Sequence, residues 1–129
     1  MRSGKDIFGL AFIVVLSVTA GAAGAGPLDP AIGNTIVSTH PDGRKARLWL
    51  GRDGAYEAEG RAGQKSGGVW SLKGDRLCLR QRHPIAIPFS YCKPIPSVTV
   101  GQSWRDKAVN GEQVTNEIVP GAAGKPGAG

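Results

Sequence analysis

The stretch Arg47-Leu48-Trp49-Leu50-Gly51-Arg52-Asp53-Gly54-Ala55-Tyr56-Glu57-Ala58-Glu59 decides the fold of this chain. Alternating side chains on both sides of an Asp-Gly pair are typical of two antiparallel strands joined by a tight turn. We expect Arg52–Gly54 to form the loop, with Gly54 in the left-handed conformation. The register that follows pairs apolar with apolar residues and opposite charges with each other: Leu50–Tyr56, Leu48–Ala58, Trp49–Glu57 and Arg47–Glu59.

A second hairpin follows, with Gly74-Asp75 as its two-residue turn. In this register Leu72 faces Leu77 and Trp70 faces Leu79, so one face of the hairpin contributes to a core. The other face is basic and carries Val69, Ser71, Cys78, Arg80 and Arg82.

Short runs between turn dipeptides continue along the chain, which predicts consecutive antiparallel strands. Glycine (20) and proline (9) are too frequent among the 129 residues for a helical bundle. We therefore predict an all-β fold, a single meander of about eight strands that closes as a small up-and-down barrel, with a β-sandwich as the alternative. The register of the last hairpin, at Asn110-Gly111, stays open. The predicted strands are 34–39, 45–51, 55–60, 67–73, 76–82, 89–93, 101–108 and 113–119.

Residues 1–25 have the three parts of a secretory signal peptide. Arg2 and Lys5 precede the apolar run 7–18, and small residues follow up to Ala25. An uncleaved membrane anchor is the alternative, because 7–25 is just long enough to cross a bilayer. The pattern favours cleavage, and hence a periplasmic or secreted protein without a membrane span after cleavage. No cysteine lies near the cleavage site, which excludes a lipoprotein.

The rest of the chain divides into three segments. Residues 26–33 are a Pro/Gly linker, and residues 34–119 are the β-barrel domain. Residues 120–129 have nothing to bury and are predicted to be a disordered tail.

Cys78 and Cys92 are the two cysteines of the chain. In an oxidising compartment we expect them to form a disulfide, worth about 3 kcal/mol for a loop of this length. With two cysteines and two histidines at no close spacing, no metal site is predicted.

The motifs of the two hairpins resemble those of small exported lipocalin-like β-barrel proteins of bacteria. The resemblance lies in a strand ending in Asp-Gly, an aromatic, a Gly-x-Trp strand, a turn and then Leu-Cys. It implies a barrel fold and a binding role, and it assigns no catalytic residue. The residues that carry it are Leu50–Tyr56, Gly67–Leu72 and Gly74–Leu79.

A basic stripe is the most unusual feature of the charge pattern, in a chain with 16 basic and 10 acidic residues. It is a candidate site for anions such as the phosphates of lipids or envelope glycans, or an acidic protein. The alternative is a solvated strand that resists aggregation. Export and the lack of interleaved aromatics make nucleic acid an unexpected partner. The stripe consists of Lys73, Arg76, Arg80 and Arg82.

The segment 84–89 is apolar and stiffened by proline. It is either a lid over the core or a hydrophobic contact surface, whose residues would be Ile85, Ile87 and Phe89. Trp49 lies on the face opposite Leu48 and Leu50. It is therefore either covered by a neighbouring loop or part of the same kind of surface.

No pattern of catalytic residues stands out, so we expect no enzyme, no catalytic residue and no cofactor. Glu57 and Glu59 share a strand face but are expected to be an ordinary exposed pair. His40 and Asp42 lie in a turn, where Asp42 is expected to bond its own backbone. The predicted function is an exported, non-enzymatic binding module for an apolar or amphipathic small ligand. The alternative is an envelope interaction or inhibitor protein whose basic face binds an anionic partner.

Overall fold

The computed structural model describes residues 28–126, which form one antiparallel sheet of eight strands curled into a half-barrel. The strands lie in the order β6-β5-β4-β3-β2-β1-β8-β7. Their bounds are β1 (Thr35–Thr39), β2 (Lys45–Leu50), β3 (Ala55–Glu59), β4 (Lys65–Lys73), β5 (Arg76–His83), β6 (Tyr91–Pro94), β7 (Ser103–Lys107) and β8 (Gln113–Val119).

The predicted all-β meander of about eight strands is confirmed, and the single sheet argues against a sandwich. The predicted closure is not seen. β8 pairs with β1, as in an up-and-down barrel, but within the described residues β6 and β7 do not pair. Pro94 ends β6 and Pro96 follows it, and proline has no N–H to donate to a ladder. The half-barrel is therefore open between β6 and β7.

Both hairpin registers predicted from the sequence are confirmed. Leu50 lies opposite Tyr56 and Leu72 opposite Leu77. The second hairpin contains one irregularity, because Gly68 pairs with Gln81 whereas Gly67 pairs with His83. Arg82 is the extra residue of this bulge, so it departs from the strict alternation expected for β5.

Four strand connections share one loop geometry. In each, the residue before the loop donates its N–H to the carbonyl of the residue after it, as Gly51 does to Ala55 at 2.8 Å. The last loop residue is a glycine with positive φ, for example Gly54 at 91°, a conformation that strains other residues. The four loops are 41–43, 52–54, 61–63 and 109–111.

The segment predicted as a linker belongs in part to the core. Asp29–Ala31 forms a 3-10 turn, and Leu28 and Ala31 are buried. They pack with Leu50 and Tyr56 at one end of the half-barrel. Apolar side chains in this short segment thus close that end, which we call the closed end.

Residues 120–126 of the predicted tail take a defined path along the outside of the sheet. Gly121 donates its N–H to Asn34 Oδ1 at 2.8 Å and accepts a bond from Thr35 Oγ1 at 2.7 Å. A Cβ on Gly124 would lie 3.8 Å from the ring of Trp49, so the segment passes close to this side chain. The signal peptide 1–25 and residues 127–129 lie outside the described residues.

Cys78 and Cys92 face each other across β5 and β6, with their sulfurs 2.07 Å apart. The predicted pairing of these cysteines is confirmed, and it joins the edge strand β6 to the sheet. No helix within residues 28–126 is long and apolar enough to cross a membrane.

Candidate functional site

The concave face of the half-barrel is the candidate site. Strand alternation directs every second side chain inward. The antiparallel topology places the loops 40–44, 60–64, 84–90 and 108–112 at the end opposite the closed end. We call this the mouth end.

A cavity of about 120 Å³ lies deep in the concave face. Engineered apolar cavities of roughly this size hold a benzene-sized molecule. Its walls are mostly apolar, with a polar row along one side. The apolar lining includes Ile36, Leu48, Leu77, Leu79, Ile95 and Trp104.

A wider space of about 550 Å³ continues toward the mouth end. The two spaces share Ser38, Leu48, Leu79 and Lys93 as lining residues, so they adjoin each other, and we call the two together the channel. The upper space lies within the roughly 300–1,000 Å³ that small-molecule sites occupy. The concave face therefore has room for an elongated small molecule.

A row of hydrogen-bonded polar side chains crosses the inner face from β1 to β6. Ser38 donates to Asn116 Oδ1, and Asn116 Nδ2 lies 3.4 Å from Asp106 Oδ2. Lys93 Nζ lies 2.8 Å from the same carboxylate oxygen and also donates to the carbonyl of Lys107 at 2.8 Å. One wall of the channel is thus polar and the facing wall apolar, which suits an amphipathic ligand.

An ionic cluster lies at the mouth end. Arg61 Nη1 is 2.7 Å from Glu112 Oε1 and 3.6 Å from Asp42 Oδ2. His40 Nδ1 is 3.1 Å from Glu112 Oε1 and 3.3 Å from Arg61 Nη1. A protonated Nδ1 donates to the carboxylate, whereas an unprotonated Nδ1 accepts from Arg61.

Two carboxylates of this mouth cluster have pKa values below their ordinary range. The hydrogen bond with His40 is the main cause for Glu112, with Asn110 and Arg61 adding to it. Hydrogen bonds from Arg44, first from its backbone and then from its side chain, lower the pKa of Asp42. The Arg44 N–H donates to Asp42 Oδ1 at 2.9 Å, as the turn pattern predicted.

The predicted basic stripe lies on the convex face and at the turn of the second hairpin. Lys73, Arg76, Arg80 and Arg82 are all exposed. Arg76 donates to the carbonyl of Cys92 at 3.3 Å. Lys73, Arg80 and Arg82 form no ion pair with any residue in the described range 28–126. None of the four lines the channel, so the stripe and the channel are separate features.

The segment 84–89 is not a lid, because Ile85, Ile87 and Phe89 do not line the channel. Ile85 and Phe89 are 69% and 67% exposed. The segment is held by Gln81, whose side chain donates to the carbonyl of Ile85 at 3.0 Å and whose carbonyl accepts from Ile87 at 3.0 Å.

Trp49 requires a correction as a candidate contact residue. It is 1% exposed, since the segment 120–126 covers the convex face of β2 at this point. Its indole Nε1 has no hydrogen-bond partner among the described residues. Trp49 therefore contributes to packing and not to a contact surface.

The carboxylates that could suggest hydrolysis have other partners. Glu59 pairs with Lys65 at 3.1 Å and Arg47 at 3.7 Å, and Glu57 lies 3.9 Å from His83. Both glutamates lie on the convex face, away from the channel. Within residues 28–126, no cluster of histidine, cysteine or acidic side chains could hold a metal ion.

Sequence reasoning missed the polar row of the channel. Lys93, Asp106 and Asn116 lie in strands whose alternation is poor, and the register of β7 with β8 was left open. One signal was available: Trp104 and Asp106 are two residues apart, as are Asn116 and Ile118. Residues two apart in a strand share a face of the sheet. If Trp104 and Ile118 face the core, Asp106 and Asn116 therefore face it as well.

Comparisons of the chain with protein-family models, with curated proteins and with solved structures find no match in any of the three.

Proposed function

We propose that this protein is an exported, lipocalin-like binding module that holds an apolar or amphipathic small ligand in the channel of its half-barrel. The observation that carries the proposal is the channel made of two adjoining spaces, one deep and apolar toward the closed end and one wide at the mouth end. The signal-peptide pattern of residues 1–25 supports export to the periplasm or beyond. The cysteine pair is consistent with an oxidising compartment.

The two walls of the channel define the ligand class. An aliphatic or aromatic part fits between Leu48, Leu79 and Trp104. A polar group on the same molecule can exchange hydrogen bonds with Lys93 and Ser38, which line both parts of the channel. Lys93 is already paired with Asp106, so an aliphatic chain that ends in a hydroxyl, an amide or a single carboxyl group fits better than a multiply charged ligand.

The first experiment is native mass spectrometry of the protein recovered from the periplasm of expressing cells. A small-molecule adduct supports the channel as a binding site and gives the mass of the ligand. The mass of the chain also reports whether residues 1–25 have been removed.

The second experiment titrates the protein with the amphipathic probe 11-(dansylamino)undecanoic acid. Ala46 lines the channel, and Ala46→Trp should fill its upper part and weaken probe binding by tenfold or more. Lys45 is the preceding residue of β2 and is exposed. Lys45→Trp is therefore the matched control and should bind like the unmodified chain. Circular dichroism shows whether both variants keep the fold.

Two outcomes would contradict the proposal. One is the absence of both an adduct and probe binding in the unmodified protein. The other is equal probe binding by Ala46→Trp and Lys45→Trp, which would place the probe outside the channel.

A further inference from the structure

The end of β5 and the loop that follows it carry two kinds of exposed side chain. Arg80 and Arg82 are exposed cations, and Ile85 and Phe89 are exposed apolar side chains. Arg80 and Arg82 line a shallow surface depression together with Ala86, Ile87 and Pro88. Ile85 and Phe89 flank the lining residues 86–88 in the chain, and we call Arg80, Arg82 and the segment 85–89 together the docking patch.

The arginines of the docking patch are available to a partner. Within residues 28–126 neither forms an ion pair. Glu57, on β3, lies 3.9 Å from His83. Val69 pairs with Arg80 across β4 and β5 and is itself 40% exposed. The patch thus has unneutralised positive charge next to apolar surface.

The apolar part of the patch is held in place before it binds. Gln81 holds the segment 84–89 through two hydrogen bonds. The Gln81 side chain donates to the segment, and the Gln81 carbonyl accepts from it. The cysteine pair joins the strands on both sides of this segment. Because these bonds already hold the backbone of the segment, inserting Ile85 and Phe89 into a partner costs less backbone entropy than it would for a free loop.

We propose that the docking patch binds the surface of an anionic lipid bilayer. Charge complementarity selects this partner: arginine guanidinium groups bind lipid phosphates bidentately, and isoleucine and phenylalanine enter the boundary between headgroups and acyl chains. An acidic protein would satisfy the arginines. Exposed apolar side chains on a surface loop fit the deformable interface of a bilayer better than a preformed pocket.

The position of the patch gives the proposal a further consequence. The segment 84–90 lies at the mouth end, with the loops 40–44, 60–64 and 108–112. Val109, in the last of these loops, lines the channel and is 79% exposed. A bilayer bound to the docking patch would lie beside the channel mouth, so an amphipathic ligand could pass between bilayer and channel. This passage of a ligand rests on the proposed binding function of the channel, whereas membrane docking does not.

The test is flotation of the full chain, recovered from the periplasm, with vesicles of phosphatidylglycerol or of phosphatidylcholine alone. We expect binding to the anionic vesicles, weakened by salt, and little binding to the neutral ones. Arg80→Ser with Arg82→Ser should weaken binding about 30-fold, which corresponds to ~1 kcal/mol for each arginine near an anionic surface. Ile85→Ser with Phe89→Ser should weaken it about tenfold or more.

The matched control removes two arginines and one apolar side chain that lie outside the docking patch. Arg52 and Val100 lie in loops at the closed end, and Arg105 lies on β7; all three are exposed. The triple variant Arg52→Ser, Arg105→Ser, Val100→Ser should bind anionic vesicles nearly as well as the unmodified chain. If it loses as much binding as the Arg80/Arg82 variant, net charge and not the patch explains the binding, and the proposal is wrong.

Further outcomes distinguish membrane docking from ligand binding in the channel. Equal binding to neutral and anionic vesicles, or binding to polyglutamate but not to vesicles, would overturn membrane docking. The variant Ala46→Trp should still bind vesicles, and the Arg80/Arg82 variant should still bind the dansyl probe. Failure of one activity therefore leaves the other measurable.

Discussion

Lys93 on β6 lies 2.8 Å from Asp106 on β7, at the one place where the half-barrel lacks backbone pairing between neighbouring strands in the described chain. Lys93 also donates to the backbone carbonyl of Lys107. Side-chain bonds thus replace the missing strand ladder across the opening. The same two residues line the channel, so the opening and the candidate binding site share their polar groups.

The Lys93–Asp106 pair should stabilise the fold more than a surface ion pair does. Its side chains are only 26% and 22% exposed. Lys93→Met leaves Asp106 half-buried without its cation, so we expect a loss of about 1–2 kcal/mol in the free energy of unfolding. In a double-mutant cycle with Asp106→Asn, the coupling should be about 1 kcal/mol, measured by urea denaturation.

The matched control is the pair Lys65–Glu59, in which Lys65 is 57% exposed. Its coupling should be below about 0.5 kcal/mol. Equal coupling in the two cycles would show that Lys93 does not bridge the opening.

Glu112 should make stability depend on pH in the acid range. Its pKa is lowered from the ordinary value of 4.5, chiefly by the hydrogen bond with His40. A lowered pKa in the folded state means that the ionised carboxylate stabilises the fold above pH 4.5, and that this contribution is lost as the pH falls through the lowered value. The difference in thermal stability between the unmodified chain and Glu112→Gln should therefore shrink on acidification.

The comparison is repeated in a His40→Phe background, which lacks the main cause of the lowered pKa. There the effect of Glu112→Gln on the melting temperature should depend less on pH. The same pH dependence in both backgrounds would rule out His40 as the cause.

Gly68 should tolerate no side chain. A Cβ at this position would overlap the backbone carbonyl oxygen of Arg80 and would lie 2.9 Å from the amide nitrogen of Arg82. Because backbone atoms on a paired strand cannot move aside, Gly68→Ala should cost about 3 kcal/mol or prevent folding. Gly60→Ala is the control, since the three atoms nearest its Cβ would all belong to the flexible Gln64 side chain. A similar yield and melting temperature for both variants would contradict the bulge at Gly68.

The segment 120–126 should protect Trp49 from solvent. A chain that ends at Pro120 loses both hydrogen bonds of Gly121 and the residues that pass close to the indole ring, Lys125 and Pro126 among them. We expect a red shift in tryptophan emission and a loss of about 2 kcal/mol in stability. A chain that ends at Pro126 should behave like the full chain. An unchanged emission spectrum in the shorter chain would place the cover of Trp49 elsewhere.

The local pairing of strands could be read from the sequence. Asp53-Gly54 and Gly74-Asp75 each restrict the turn to a few geometries, and a period of two then determines which side chains meet. The pairs Leu50–Tyr56 and Trp70–Leu79 follow from residues close together in the chain. The two cysteines were predicted to be partners because the chain contains no others.

The candidate site depended on contacts between distant segments. Ser38 meets Asn116 across 78 positions of the chain, and Arg61 meets Glu112 across 51. Neither turn chemistry nor alternation of side chains specifies which remote strands become neighbours. The channel, its polar row and the mouth cluster were therefore not predictable from local patterns.

The sequence by itself determined the all-β class, the hairpin registers, the basic character of β5 and the apolar character of the segment 84–89 that follows it. Only the tertiary structure decided that the sheet stays open between β6 and β7, that Leu28 closes one end, and that Trp49 is covered. The physical reason is that turn geometry and side-chain periodicity act over a few residues. Burial depends on which distant segments exclude water from a given side chain, and that is settled only when the whole chain has packed.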